Sequence, residues 1–224
     1  MNRPEQIAAN LKQVKENIAH SVKNAGRSID EITLIVVTKT FPLSDLEVLY
    51  ELGLREFGEN RDQEAVAKVD KLPNDVKWHF QGGIQSNKLK SIANWANCIH
   101  SVDQLKYAQI ISDQNLAIPK QIFIQISLDQ PPESRGGVDP AKLFELASSI
   151  EKLPGISLQG LMAVAPLTSP VSDSFAKLAA VHGEFKAVYK NATSLSAGMS
   201  GDYEMAISFG ATHLRIGSSI LGNR

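Results

Sequence analysis

The sequence predicts an α/β protein in which eight strands alternate with helices and close into a (β/α)8 barrel, preceded by one extra helix. Short apolar runs recur along the 224 residues, helical stretches separate them, and no long linker or shift in composition marks a second domain. Strands joined by helical crossovers pair in parallel, and eight such units close naturally into a TIM barrel. An open doubly wound sheet is the alternative. In either case we expect residues 1–224 to form one domain.

The first predicted element is a helix from about residue 4 to residue 24. Its apolar side chains recur at steps of three and four residues, which places them on one face, and charged residues occupy the other face. Gly26 follows at a position typical of a helix end. The apolar face consists of Ile7, Leu11, Val14, Ile18 and Val22.

The predicted strands are short apolar runs bounded by turn-forming residues, beginning with TLIVVTK. They cover residues 33–39, 56–60, 76–82, 98–103, 121–128, 158–165, 193–199 and 213–221. The helices between them begin near capping residues, such as Asp139 before Pro140, and several end at glycines, such as Gly53 and Gly155. They cover residues 42–53, 61–72, 86–96, 104–115, 139–155, 169–190 and 200–210.

Composition narrows the classes of function. The net charge of −1 gives no overall attraction to nucleic acid or to an anionic membrane. The charged N-terminus lacks the apolar block of a signal peptide, and no apolar run approaches the roughly 20 residues that span a bilayer. The single cysteine, Cys98, fits a buried core residue in a reducing cytoplasm, so we expect a cytoplasmic protein. Motifs for metals, dinucleotides and nucleoside triphosphates are lacking, and we predict no metal site.

Two glycine- and serine-rich turns follow the seventh and eighth predicted strands, in SAGMSGDYEMAI and RIGSS. The loops after these strands are the usual phosphate site of the barrel, and unpaired N–H groups at a helix start favour an anion. Chain reversal and capping alone would also account for each turn.

Lys39 and Arg215 are the charged residues of interest at the strands. Lys39 is either a solvated strand end or an amine in a partly dry pocket, where it could form a Schiff base with an aldehyde. A lysine of this kind together with a phosphate site is the pattern expected for pyridoxal phosphate. Arg215, in an otherwise apolar strand, would reach solvent at a barrel end, pair with a carboxylate or face a ligand ring. His79 and His100 are more often structural than catalytic in such positions.

Seven segments in order resemble the pyridoxal phosphate homeostasis protein family, also called the YggS or PROSC family. They are VTKTFP, REFGENRDQE, WHFQGGIQSNK, HSVD, LMAVAP, SAGMSGDYEMAI and LRIGSSILGNR, and the resemblance extends from about residue 30 to the end. It implies a fold-type III barrel similar to the N-terminal domain of alanine racemase. The implied protein is a monomer that binds and hands over pyridoxal 5′-phosphate (PLP), in vitamin B6 homeostasis and amino-acid balance, without catalytic turnover. Apo-enzymes that depend on PLP are the implied recipients.

The resemblance also implies a set of cofactor-binding residues and no catalytic residue. Lys39 would carry PLP as an internal aldimine, and Arg215 would face the pyridine nitrogen and leave it unprotonated. The other implied residues are Ser196, Ser200, Gly217 and Ser218 around the phosphate, and Asn60, His79 and Met162 around the ring.

Two other functions stay open at this point. A minimal racemase would need a second acid or base, for which His79 is the candidate. However, the eighth predicted strand ends close to Arg224, so we expect the C-terminal β-domain of racemases to be absent. A partner-binding module could use the loop at 130–140. The segments at 81–84 and 135–137 depart from the family pattern and put substrate or partner contacts in doubt, whereas Ser218 keeps the hydroxyl of the more frequent threonine.

Overall fold

The computed structural model describes residues 1–128, 136–166 and 169–223. Its eight parallel strands form a closed barrel in chain order. They are β1 (Thr33–Val37), β2 (Glu56–Glu59), β3 (Lys77–Phe80), β4 (Cys98–Val102), β5 (Lys120–Gln125), β6 (Ile156–Met162), β7 (Ser194–Ser196) and β8 (His213–Ile216). The pairing of Thr33 with His213 and of Val36 with Ile216 closes the circle between β1 and β8. The barrel prediction is therefore confirmed, and the open doubly wound sheet is wrong.

Helices connect the strands around the outside of this barrel. They are α1 (Arg3–Asn24), α2 (Leu43–Glu51), α3 (Asp62–Val69), α4 (Leu89–Trp95), α5 (Leu105–Ser112), α6 (Leu143–Ile150), α7 (Val171–Val188), α8 (Tyr203–Ser208) and α9 (Ser218–Leu221). Short 3-10 turns cover Ile29–Glu31, Ser86–Lys88 and Pro140–Lys142. In the part of the chain that is described, none of these helices has the length and apolar character needed to cross a bilayer.

Helix α1 begins and packs as its sequence predicts. Asn2 caps it by accepting a hydrogen bond from the backbone N–H of Glu5 at 3.0 Å, and the Glu5 carboxylate accepts one from the backbone N–H of Asn2. Its five predicted apolar residues are all buried. The helix lies beside the β1–β8 closure, because Arg3 bonds both the Asp45 carboxylate on α2 and the carbonyl oxygen of Leu221 on α9.

Two apolar regions hold the fold together. The larger lies between the strands and the surrounding helices and includes α1. The smaller consists of Cys98, Phe123 and Met162 inside the barrel. Cys98 is buried, which confirms its expected place as a core residue, and burial raises the pKa of its thiol. The polar side chains of the barrel interior are described with the site.

A close approach of strands requires glycine at one point of the sheet. Gly160 on β6 has a φ of 152°, and a Cβ atom there would lie 1.8 Å from the carbonyl oxygen of Ser194 on β7. The register between β5 and β6 shifts next to it, between Ile122 and Phe123. An extra residue of this kind is a β-bulge, which bends the strand and raises its local twist.

Several predicted boundaries differ from the structure, including the three that follow. The eighth strand was expected to continue to residue 221 but ends at Ile216, and α9 follows the turn at Gly217. The helix expected at 200–210 is only Tyr203–Ser208, because residues 199–202 form a turn in which the Met199 N–H donates to Asp202 Oδ1 at 2.6 Å. Strand six begins and ends earlier than expected, at Ile156–Met162. Most of the loop at 130–140 lies outside the described residues.

Candidate functional site

Lys39 follows β1 on a turn that α3 holds from both sides. The turn comprises residues 38–40, and Thr40 has a φ of 68°, which is uncommon for threonine. Lys68 Nζ donates to the carbonyl oxygen of Thr38 at 2.9 Å, and the Thr40 N–H donates to Glu64 Oε2 at 2.8 Å. The backbone on each side of Lys39 is therefore fixed, while the Lys39 side chain is exposed.

A buried ion pair lies beneath this turn. Lys68 Nζ is 2.7 Å from Glu59 Oε1, and the side chains are 11% and 0% exposed. Thr38 Oγ1 donates to the same carboxylate oxygen at 2.7 Å, whereas Glu59 Oε2 has no hydrogen-bond partner among the described residues. Burial raises the pKa of Glu59, although the bonds from Lys68 and Thr38 oppose it. The carboxylate is thus incompletely compensated and depends on Lys68.

The two glycine- and serine-rich turns meet at one hydroxyl. Ser200 Oγ accepts hydrogen bonds from the backbone N–H groups of Gly217 at 3.3 Å and Ser219 at 3.2 Å. Ser218 lies between them and is exposed. The sequence-based expectation of an anion site at a helix start needs correction for the first turn, because the six-residue α8 begins only at Tyr203. What the structure offers instead is a pair of N–H groups aimed at one oxygen.

Arg215 lies inside the barrel, where its guanidinium bonds two neutral oxygens. It donates to Ser196 Oγ at 2.7 Å and to the carbonyl oxygen of Ala163 at 2.9 Å. No carboxylate lies within salt-bridge distance of it among the described residues. Burial lowers the pKa of Arg215 to about 10, with Asp202 opposing the shift. The guanidinium retains further N–H donors, since arginine has five.

A chain of polar side chains continues inward from Ser196 across the barrel, and we call it the barrel relay. His100 Nδ1 is 2.8 Å from Ser196 Oγ, and His100 Nε2 is 2.8 Å from His79 Nδ1. His79 Nε2 is 2.7 Å from Glu56 Oε2. His79, which was expected beside a cofactor ring, therefore uses both nitrogens within the barrel. Lys77 also contacts Glu56, at 3.1 Å.

Three cavities surround the carboxyl ends of the strands, and each contains one predicted site residue. Asn60 lines a cavity of about 340 Å³. Met162 lines a second cavity of about 230 Å³, and Ser200 lines a third cavity of about 420 Å³. Besides Glu59 Oε2, two further buried polar atoms at this end have no partner among the described residues, Asn60 Oδ1 and Gln81 Nε2. Such atoms in a native fold call for a ligand, a water molecule or an ion.

His79, Cys98 and His100 also bring potential metal-ligand atoms within 4.8 Å of one another. However, the two imidazoles are hydrogen-bonded to each other, and burial raises the pKa of the thiol, which keeps it protonated. These side chains are therefore satisfied without an ion, and the lack of a metal site stays a prediction.

The structure brings only some of the sequence-predicted site residues into direct contact with one another. It brings Ser196 to Arg215 and Ser200 to Gly217, as described above. Sequence reasoning missed Glu56, Glu64 and Lys68. The i, i+4 spacing of Glu64 and Lys68 was a signal that they share one face of a helix, but their contacts with the turn at Lys39 depend on how α3 packs.

The closed barrel and its first helix define the class of protein. Residues 9–224 match the family described as alanine racemase, N-terminal domain, and the chain belongs to this family of barrel domains. Alanine racemase of Clostridium difficile superimposes with a TM-score of 0.73 over 96% of this chain and 57% of its own, at 13% identity, which shows the shared fold alone.

Closer relatives identify the particular family. The chain is 34% identical over 245 residues to the pyridoxal phosphate homeostasis protein of Mycobacterium tuberculosis, covering 100% of this chain and 95% of the relative. It is 37% identical over 227 residues to the protein of that name from Escherichia coli, covering 97% of each. It therefore belongs to the pyridoxal phosphate homeostasis protein family, as its motifs predicted.

A solved structure of comparable size accompanies these relatives. PipY of Synechococcus elongatus, with PLP bound, has a TM-score of 0.82 and 30% identity over 96% of this chain and 100% of its own. The same protein without PLP has a TM-score of 0.84.

Proposed function

We propose that this protein binds PLP at the carboxyl end of the barrel, holds it through Lys39 and serves PLP homeostasis, and with it vitamin B6 and amino-acid balance. The observation that carries the proposal is the combination, at one barrel end, of an exposed lysine on a fixed turn and two N–H groups converging on Ser200 Oγ. The names of the relatives and the PLP-bound structure of PipY support it.

The residues present fit this cofactor. Bound PLP supplies an aldehyde that condenses with a lysine amine and a phosphate that requires hydrogen-bond donors. Lys39 offers the amine, and the N–H groups of Gly217 and Ser219 offer donors already directed at an oxygen atom. With the Ser200 and Ser218 hydroxyls, they would hold the phosphate oxygens.

Arg215 would orient the other end of the cofactor ring. Because a guanidinium has only donors, it can bond the pyridine nitrogen only when that nitrogen is unprotonated. An unprotonated ring is a weaker electron sink, which disfavours chemistry at the α-carbon of an amino acid. Ser196 would hold the guanidinium in place, since it accepts from Arg215 at 2.7 Å. We propose that Asn60 and Met162, which line cavities at this end, contact the ring and its substituents.

We further propose that the protein is a carrier without catalytic turnover, acting as a monomeric one-domain barrel in the cytoplasm and delivering PLP to apo-enzymes. The engagement of both His79 nitrogens in the barrel relay supports the absence of turnover, because a racemase needs a second free acid or base. Incubating the loaded protein with single amino-acid enantiomers in deuterated water tests this point. Exchange at the α-carbon at a useful rate would favour the racemase alternative.

The absorption spectrum of the purified protein tests the binding proposal directly. Wild-type protein with PLP should show the visible band of a lysine-bound cofactor, and borohydride should fix PLP on the peptide that contains Lys39. Lys39→Ala should lose the band. Lys12→Ala, which removes an exposed lysine on α1, is the matched control and should keep it. A wild-type protein that stays colourless with added PLP would refute the proposal.

A further inference from the structure

The barrel relay connects the two ends of the barrel interior. Arg215 and Ser196 lie towards the proposed cofactor, whereas Glu56 is the first residue of β2 and lies at the opposite, amino end. Each link between them is between 2.7 and 2.8 Å. Aromatic stacking also fixes the position of His100 in the relay, because its ring stacks on Phe123 with centroids 4.5 Å apart.

With neutral imidazole rings, the two terminal groups give every hydrogen bond of the relay one direction. An ionised Glu56 can only accept, so His79 donates to it from Nε2 and keeps Nδ1 as an acceptor. His100 then donates from Nε2 to His79 Nδ1, and its Nδ1 accepts the hydrogen of Ser196, whose oxygen accepts from Arg215. Neutral rings at both positions are therefore both Nε2–H tautomers.

The electrostatic surroundings agree with this arrangement. Burial, together with the neighbouring His79 and His213 rings and the positive charge of Arg215, lowers the pKa of His100 well below its ordinary value. Burial alone would raise the pKa of Glu56, but the bonds from His79 and Lys77 leave it below its usual value. Among the described residues, the titratable and charged groups around the relay are Glu56 on β2, Lys77 and His79 on β3, Cys98 and His100 on β4, Lys120 on β5, Asp202 before α8, and His213 and Arg215 on β8.

We propose that Glu56, His79 and His100 are positioning residues that act through Ser196 on Arg215, with Glu56 as the remote counter-charge of the guanidinium. A guanidinium buried without a carboxylate would otherwise be free to turn towards other acceptors. The relay keeps one of its nitrogens on Ser196, a second nitrogen donates to the carbonyl oxygen of Ala163, and the N–H groups left over are available to the cofactor ring. This role rests on the proposed function, whereas the direction of the relay does not.

The direction is tested first on wild-type protein without PLP. Long-range ¹H–¹⁵N correlation spectra at about pH 8, where free histidine is neutral, distinguish the two tautomers of each ring. We expect both His79 and His100 to be Nε2–H tautomers. An Nδ1–H tautomer or a charged ring at His100 would overturn the proposal. Because no cofactor is present, the result is independent of whether the protein binds PLP.

The effect on the cofactor is tested with Glu56→Gln. The neutral amide no longer enforces one direction, so Nδ1–H tautomers should appear at both histidines. The dissociation constant for PLP should rise about tenfold. This fold-change corresponds to the lower end of the free energy that is lost with a hydrogen bond to a charged group. The pH midpoint of the visible band should move down by about half a unit, because a negative charge that favoured the protonated form is gone.

Glu47→Gln is the matched control, since it removes an exposed carboxylate on α2 and should change none of these quantities. A role limited to stability would leave the pH midpoint of Glu56→Gln at the wild-type value, and that result would overturn the proposal. Wild-type protein that fails to bind PLP would refute the proposed function, and the tautomer spectra would still decide the relay.

Discussion

Replacing Lys68 by methionine is expected to destabilise the barrel, because the substitution keeps the length of the side chain and removes its charge. Glu59, which is 0% exposed, then loses its cation, and the carbonyl oxygen of Thr38 loses its donor at 2.9 Å. Breaking a buried pair by removing one partner costs about 3–5 kcal/mol. The Lys68 side chain is 11% exposed, so water can partly replace it, and we expect about 3 kcal/mol.

The loss should depend on pH in a defined direction. Burial already raises the pKa of Glu59 above the ordinary value of 4.5, and removing Lys68 removes an opposing effect, so the pKa rises further. A carboxyl with a raised pKa in the folded state costs no stability below its unfolded pKa, and the cost grows as the pH rises to the folded value. The variant should therefore approach wild-type stability near pH 4.5 and show its full loss at about pH 8.

Urea unfolding, followed by the fluorescence of Trp78 and Trp95, measures the free energy of unfolding at the two pH values. Lys71→Met is the matched control, because Lys71 is exposed near the end of the same helix. The double variant Glu59→Gln with Lys68→Met should recover much of the loss, since no buried charge remains. Equal stability of Lys68→Met and Lys71→Met at about pH 8 would refute the reasoning.

Three further predictions concern other parts of the barrel. Gly160→Ala should lower the free energy of unfolding by about 1–3 kcal/mol because of the clash with Ser194, whereas Gly183→Ala, with open space inside α7, should raise it by roughly 1 kcal/mol in the same urea assay. Cys98 should react with a thiol reagent only on unfolding, and rapid reaction of folded protein would contradict its raised pKa. Burial lowers the pKa of His182 to about 4, so between pH 6.5 and pH 4 the unfolded state binds more protons than the folded state and stability falls. His182→Gln should make this fall in the free energy of unfolding smaller. Identical pH profiles of stability for the wild type and the variant would exclude this contribution.

The barrel could be predicted because its signals are local. Apolar runs, helical periodicity and crossovers between parallel strands are all properties of consecutive residues. The ends of some elements were not predictable in this way. β8 stops at Ile216 because the N–H groups of Gly217 and Ser219 bond Ser200, which is a contact between separate turns.

The candidate site was also predictable only where its signals are local. Lys39 and Arg215 could be singled out as candidate site residues because each places a charge beside or within an apolar strand. The barrel relay did not follow, because Glu56, His79 and His100 lie on three neighbouring strands and meet only through the register and tilt of the closed barrel. A histidine between two apolar residues looks the same in a sequence whether its ring faces the barrel interior or the helices.

The seam between β1 and β8 has a consequence for biosynthesis. Lys39 follows β1, whereas Arg215, Gly217 and Ser219 belong to β8 and the turn after it, so the two halves of the proposed site are separated by nearly the whole chain. Contacts at such long separation form late, after the intervening segments have been synthesised. On the proposed function, a nascent chain offers PLP a lysine without its phosphate and ring partners. On the same proposal, only a chain synthesised through β8 and the turn after it would hold PLP.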